Sequence, residues 1–262
     1  MNVSILIAFI LGGLFILAFP LVGALIVWRK TGAKWLYFLI GMATFMLFQG
    51  ILRIPAISLI QYFFADWLQS SAVISWTWLV LLCLTAGIFE EGGRYLALRF
   101  ILKPPHVWKN GLMFGLGHGG FEAWLIGLGA IVGNIVIMFM PAEMLQGPTL
   151  AAKEEIMNLP LLMTVVSPLE RLMATVCHIG FTLLVLRAFR RGASIWKWLA
   201  LAVLAHALVN LVAVIVMKLA GVWLAEAALA LIVAWVIVWI VYEYKSEKAA
   251  PVDALIQNDR EH

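Results

Sequence analysis

Ten ionisable side chains interrupt the long apolar stretches of this 262-residue sequence: Glu90, Glu91, Arg94, His118, Glu122, Glu170, Arg171, His178, His206 and Glu226. An ionisable group in hydrocarbon costs about 3 kcal/mol or more, so each demands a partner or a task. Their spacing is informative. Glu90 lies nine residues before Arg99, and His118 nine after Lys109. His178 lies nine before Arg187, and His206 nine after Lys197. If those basic residues mark one membrane interface, all four groups lie about 13 Å below it, at 1.5 Å per helical residue. That depth is near the middle of a hydrocarbon core about 30 Å thick. Independent structural placements on separate helices would not coincide in this way; a shared site would.

Residues four apart share a helix face. This sets Glu90 beneath Arg94, His118 beside Glu122, and His206 beside Asn210. The glycines around them (Gly92, Gly93, Gly115, Gly117, Gly119, Gly120) allow close helix approach or leave room for a substrate backbone. Peptide hydrolysis at such a place needs water, a base to activate it and a donor for the oxyanion. A glutamate and a histidine from adjacent helices can hold one water between them, with Glu90 or Glu91 as the base. Alternatively, His118, His178, His206 and a carboxylate such as Glu122 form a zinc site with an open position, whose bound water ionises near neutrality. In either scheme Asn210 is placed to donate to the oxyanion.

Plainer roles stand beside these. Glu90 and Arg94 can be an ion pair that fixes helix packing, and a single histidine can be an interhelical hydrogen bond. Glu170, Arg171 and Glu226 fall near the opposite interface and read as structural, while His106 and His262 read as solvated. Other intramembrane protease signatures are missing: the sequence has no HExxH, no GxSG loop, no GxGD pair, and no aspartate in the core of a span.

The elements that must carry these residues are membrane helices. The composition is 64% hydrophobic and 12% charged, with a mean hydropathy of +1.02, whereas soluble domains are about a quarter charged. Apolar runs over 3–28, 35–60, 75–98, 111–140, 168–186, 198–217 and 222–242 predict seven transmembrane helices in an all-α bundle. Pro20 in the first, and Arg53 with Pro55 in the second, predict kinks or early termination. One set of alternate loops and ends holds thirteen Lys and Arg residues and the other only Lys153 and Lys218, with Arg53, Arg94 and Arg171 inside spans. The bias predicts an external N-terminus and a cytoplasmic C-terminus.

The longest loop, 141–167, is then external, with a short amphipathic helix over 151–157. Residues 1–244 form a single transmembrane domain, and 245–262 a polar, disordered tail. The first apolar run has no basic segment before it and no cleavage site, so it reads as a retained helix. Cys83 and Cys177 lie in apolar runs, which argues against a disulfide framework. The net charge of +4 resides in short loops and does not point to nucleic acid. The expected location is a cell membrane, crossed several times, with lipids and a hydrophobic peptide or membrane protein as partners.

Three motifs carry a family resemblance: Glu90-Glu91-Gly92-Gly93-Arg94, Phe114-Gly115-Leu116-Gly117-His118, and His206-Ala207-Leu208-Val209-Asn210. In this order, over roughly half the chain, they resemble the CAAX protease and bacteriocin-processing superfamily of intramembrane endopeptidases, and within it the YhfC family of membrane peptidases. The resemblance implies that the paired glutamates and the two histidines position a catalytic water or a metal. It also implies that His206 and Asn210 form an oxyanion hole. The superfamily pattern has three residues between the glutamate pair and the arginine, whereas this sequence has two. Helix geometry therefore pairs Glu90 with Arg94 and leaves Glu91 free, whereas motif order makes the first glutamate catalytic. His178 and Glu122 are additional to the motifs and favour a metal. A proton-coupled transporter would also use midplane carboxylates and histidines, but no inverted repeat is evident. A non-enzymatic immunity or scaffold protein is the third reading.

Overall fold

Capping residues divide the chain into helices. The first, α1 (Val3–Thr31), starts at Asn2, whose side chain accepts from the Ile5 N–H at 3.4 Å, and stops at Gly32 with φ 65°. Arg29 and Lys30 occupy its last turn, where cations meet the negative end of the helix dipole. Then come α2 (Trp35–Leu68), α3 (Ala72–Ile101, capped by Ser71) and α4 (Trp108–Phe139). A 3₁₀ turn (Ala142–Met144) leads to the short α5 (Pro148–Met157) and to α6 (Leu161–Arg187), whose first turn is also 3₁₀. Gly221, at φ 84°, separates α7 (Ile195–Ala220, capped by Ser194) from α8 (Val222–Ala249). This computed structural model describes residues 2–190 and 193–250, which contain no β-strand.

Among the described residues seven helices, all but α5, are long and apolar enough to cross a membrane. The chain is a multi-pass, all-α membrane protein. Its outer faces agree: Phe63, Val73, Leu231 and Trp235 are 72–79% exposed, and large apolar surfaces of this kind need lipid as their solvent.

Several helix ends differ from the hydropathy boundaries. Pro55 does not stop α2, which continues to Leu68. The missing proline N–H is absorbed by a π-helical segment, Met46–Arg53, immediately before it, and the bend appears at Phe64 (φ −120°, ψ 20°). The helix expected over 151–157 is α5. The last helix runs to Ala249, past the expected start of the polar tail at 245; residues 251–262, where the rest of that expectation falls, lie outside the described residues.

The core is organised around α4, whose glycines let three helices touch its backbone. A Cβ on Gly117 would lie 2.0 Å from the Phe38 carbonyl oxygen of α2, and one on Gly115 would lie 2.5 Å from the Ile179 Cα of α6. On a third side Gly120 faces Pro20 of α1, where a Cβ would meet the proline ring at 2.5 Å. Pro20 cannot donate to the Ile16 carbonyl, and the Trp124 indole on α4 does so instead at 3.1 Å. On α3, Gly87 rests against the Val203 backbone of α7, while α8 closes the arrangement by packing on both α6 and α7. The middle turns of α3, α4, α6 and α7 are thereby drawn to one place.

Candidate metal centre

Each of those four helices delivers polar groups to that place. Glu90, Glu91 and Arg94 come from α3, His118 and Glu122 from α4, Arg171 and His178 from α6, and His206 from α7. The histidines and Glu90, Glu91 and Arg94 are each at most 4% exposed. Glu90 occupies the centre. Its Oε2 is 3.0 Å from His118 Nε2 and 3.9 Å from His178 Nδ1, and its Oε1 is 3.9 Å from His206 Nε2.

Around this centre lies a ring of hydrogen bonds that fixes the imidazoles. Glu122 Oε2 is 2.5 Å from His178 Nε2, and Glu91 Oε1 is 2.8 Å from His206 Nδ1. Arg94 bonds the other Glu91 oxygen and donates from Nη2 to His178 Nδ1 at 3.3 Å. Because a guanidinium has only donors, His178 must accept at Nδ1 and carry its proton on Nε2, towards Glu122. By the same logic His206 donates from Nδ1 to Glu91, which leaves the Nε2 lone pair free. Both rings thus turn an unprotonated nitrogen towards Glu90. Behind Glu122, Arg171 donates to Oε1 at 2.9 Å and also pairs with Glu170.

Several expectations from sequence need correction. Arg94 pairs with Glu91, three residues away, and not with Glu90, four away. Both spacings are within reach on a helix, and Glu90 is turned instead towards His118. Glu122 was placed beside His118, but its carboxylate bonds His178 and Arg171. Arg171, read as a structural residue, is therefore part of the network. Its signal was present: it precedes His178 by seven residues, two turns along the same face. Glu226 is 6% exposed with Oε2 unpartnered, and it lies outside the central network. Asn210, one turn beyond His206, is half-buried and makes no side-chain hydrogen bond among the described residues. His106 is not simply solvated. It is half-buried, its Nδ1 lies 3.1 Å from the Tyr37 hydroxyl, and burial pushes its pKa down to about 4. His262 lies outside the described residues.

Glu90, His178 and His206 each offer one ligand atom, all within 4.8 Å of one another. Over residues 15–234 the sequence matches the family described as YhfC intramembrane metalloprotease. The chain belongs to that family. It is also 35% identical over 242 residues to the uncharacterized membrane protein YhfC of Bacillus subtilis (strain 168), a match covering 86% of this chain and 92% of the relative. No solved structure matches it. The YhfC-matched region contains every residue of the cluster, and the family description favours neither the transporter nor the scaffold reading.

A metalloprotease family implies a metal ion, and the YhfC cluster fits one on three counts. The donors are two imidazole nitrogens and a carboxylate, a set that suits zinc. Each imidazole is held from behind by a carboxylate, Glu122 or Glu91, the arrangement that orients metal-binding histidines. Lastly, among the described residues Glu91 is paired with Arg94 and Glu122 with Arg171, whereas Glu90 meets only imidazoles, so a cation beside Glu90 would balance a carboxylate that no guanidinium touches. An unpaired buried charge costs several kcal/mol.

Proposed function

We propose that this chain is an intramembrane metallopeptidase that cleaves a peptide bond in a hydrophobic or membrane-embedded substrate, with Glu90, His178 and His206 holding a zinc ion. The observation that carries this reading is the pair of imidazole lone pairs, each fixed by a carboxylate behind it and both aimed at one carboxylate. Bound there, the ion would supply a Lewis acid and a water acidic enough to ionise near neutrality.

The remaining steps belong to the protein. His118 is anchored by Nε2 on Glu90, and its Nδ1 is buried without a partner. We assign Nδ1 the transfer of the proton from the attacking water to the leaving amine, with Glu90 steadying the imidazolium that forms. Asn210, with no side-chain hydrogen bond of its own, is the candidate donor to the oxyanion. Arg94 and Arg171 hold Glu91 and Glu122 aligned. Burial of the whole set keeps bulk water out and strengthens each of these interactions.

A second reading rests on the 3.0 Å contact between Glu90 and His118. There Glu90 itself is the general base, paired with His118, and no metal takes part. One assay separates the two: hydrolysis of a fluorogenic hydrophobic peptide by purified protein in nanodiscs, before and after chelation and zinc re-addition. The metallopeptidase reading expects activity to be lost on chelation and restored by zinc; activity indifferent to chelator would overturn it. For orientation, we propose an external N-terminus and a cytoplasmic C-terminus, supported by the basic-residue bias. Cysteine labelling from each side tests it, and modification of the basic loops from outside would reverse it.

A further inference from the structure

Arg53 and Arg94 are the buried arginines among the described residues, at 8% and 0% exposure. Arg94 is neutralised by Glu91, but Arg53 has no carboxylate within ion-pair distance among the described residues. Its contacts are all neutral. Nε donates to Thr85 Oγ1 at 3.3 Å, Nη1 to Gln49 Oε1 at 3.1 Å, and Nη2 to the Leu82 carbonyl at 2.5 Å. These three bonds leave two of the five guanidinium N–H groups without a partner. A buried cation without a counter-charge is costly, and one within a spanning helix points to function by default.

Its position gives that function a content. Phe45, Gln49 and Arg53 follow one another along α2, and Phe45 stands edge-on to His118 at 5.2 Å. The π-helical segment ends at Arg53, and such wide turns are frequent at functional sites. On α3, Leu82 and Thr85 precede Glu90 by eight and five residues, about 7–12 Å along the axis. An extended peptide advances about 3.3 Å per residue. A group held at Arg53 would therefore lie about two to four residues from a bond held at Glu90.

We infer that Arg53 receives a carboxylate of the substrate, either an acidic side chain or a C-terminal carboxylate, about two to four residues from the cleaved bond. The planar fork matches a carboxylate bidentately, and the incoming charge supplies a contact ion-pair partner where the described bundle offers Arg53 only neutral groups. The identity of the ligand as substrate rests on the peptidase reading; the anion preference does not. If Arg53 were only a staple between α2 and α3, its neutral partners would suffice and no anion preference would exist.

The test is equilibrium binding to the full-length protein in nanodiscs of uncharged phosphatidylcholine. The probes are a short dansyl-labelled alanine–leucine peptide with a free C-terminus, its C-terminal amide, and the amide carrying one internal glutamate. A carboxylate form should bind roughly 10- to 100-fold more tightly than the plain amide. Which of the two carboxylate forms does so names the source of the charge. Arg53→Gln should bring every form to the affinity of the amide. Should that variant fail to insert, Arg53→Lys, which keeps the charge without the fork, should lose most of the preference. Equal binding of all three peptides by wild-type protein, or a preference that survives Arg53→Gln, would overturn the inference. Mass spectrometry of the same mixtures separates it from the peptidase reading. Carboxylate preference without hydrolysis would leave Arg53 in place and sink the peptidase, while hydrolysis without preference would do the reverse.

Discussion

Two clusters of buried charge lie along α6, one at its middle turns and one at its end. One is the glutamate–histidine centre around Glu90. The other, near the end of α6 rich in basic residues, joins Glu243 of α8 to Arg187 Nε at 2.7 Å and to Arg190 Nη2 at 2.8 Å. Arg187 is also boxed by the rings of Trp198, Trp239 and Tyr242, at 4.9–5.4 Å. Glu243 and Glu90 are almost equally buried, at 1% and 3% exposure. They differ in where their partners point. At Glu243 cations surround a lone carboxylate, and the aromatic rings use up the remaining faces of Arg187. At Glu90 the partners are fixed from behind and present lone pairs to a common point. Buried charge alone marks a structural tie; imidazole lone pairs that converge on one carboxylate mark a place for a ligand.

The same substitution in the two clusters should have opposite consequences. Glu90→Gln should abolish hydrolysis, by roughly 10³-fold or more, while the protein still inserts and folds. Glu243→Gln leaves Arg187 and Arg190 without the carboxylate they share; both guanidinium groups are partly exposed, so the loss stays below the roughly 3–5 kcal/mol that breaking a fully buried pair costs. Its melting temperature in detergent should drop, with activity per folded molecule unchanged. Equal activity losses in both variants would erase the distinction. Next in size is His118→Ala, expected to lower the turnover rate by about 10²- to 10⁴-fold while metal content stays at the wild-type level. Loss of metal in that variant would instead make His118 a ligand. Glu122→Gln should follow, weakening metal affinity by roughly 10- to 100-fold through a misaligned His178, as measured by competition with a chromogenic chelator.

Of the two clusters, the one around Glu90 was legible in the sequence. Counting nine residues from each basic residue placed Glu90, His118, His178 and His206 at one depth, because helical rise is fixed and basic residues mark an interface. The span count followed for the same reason. The partner of Arg94 was not legible, because spacings of three and four residues both permit contact and only the neighbouring helix decides between them. Glu122 illustrates the same limit. Its helical neighbour His118 was visible in the sequence, while its real partners, His178 and Arg171, come from another helix. A π-helical stretch before Pro55 cannot be told from an α-helical one by residue pattern, so the extension of α2 to Leu68 was hidden too.

The smallest expected effect concerns neither cluster but the loop at the basic end. His106 has its pKa lowered to about 4 from 6.5 by burial, so the unfolded chain binds the proton first. Its contribution to stability is present above pH 6.5 and is lost as pH falls towards about 4. Thermal unfolding across that window should show a shallower pH dependence in His106→Asn than in wild-type protein. Identical slopes would mean that burial does not shift the His106 pKa on folding.

The claim that the lone pairs around Glu90 converge on a metal is tested most directly by metal content. The protein would be purified without an affinity tag that binds metals, and its transition metals quantified by mass spectrometry beside Glu90→Gln, His178→Ala and Glu243→Gln. The account predicts about one zinc ion per wild-type and Glu243→Gln chain, and a deficit in the Glu90 and His178 variants. Metal-free wild-type protein that still hydrolyses peptide, or His178→Ala protein with full occupancy, would contradict it.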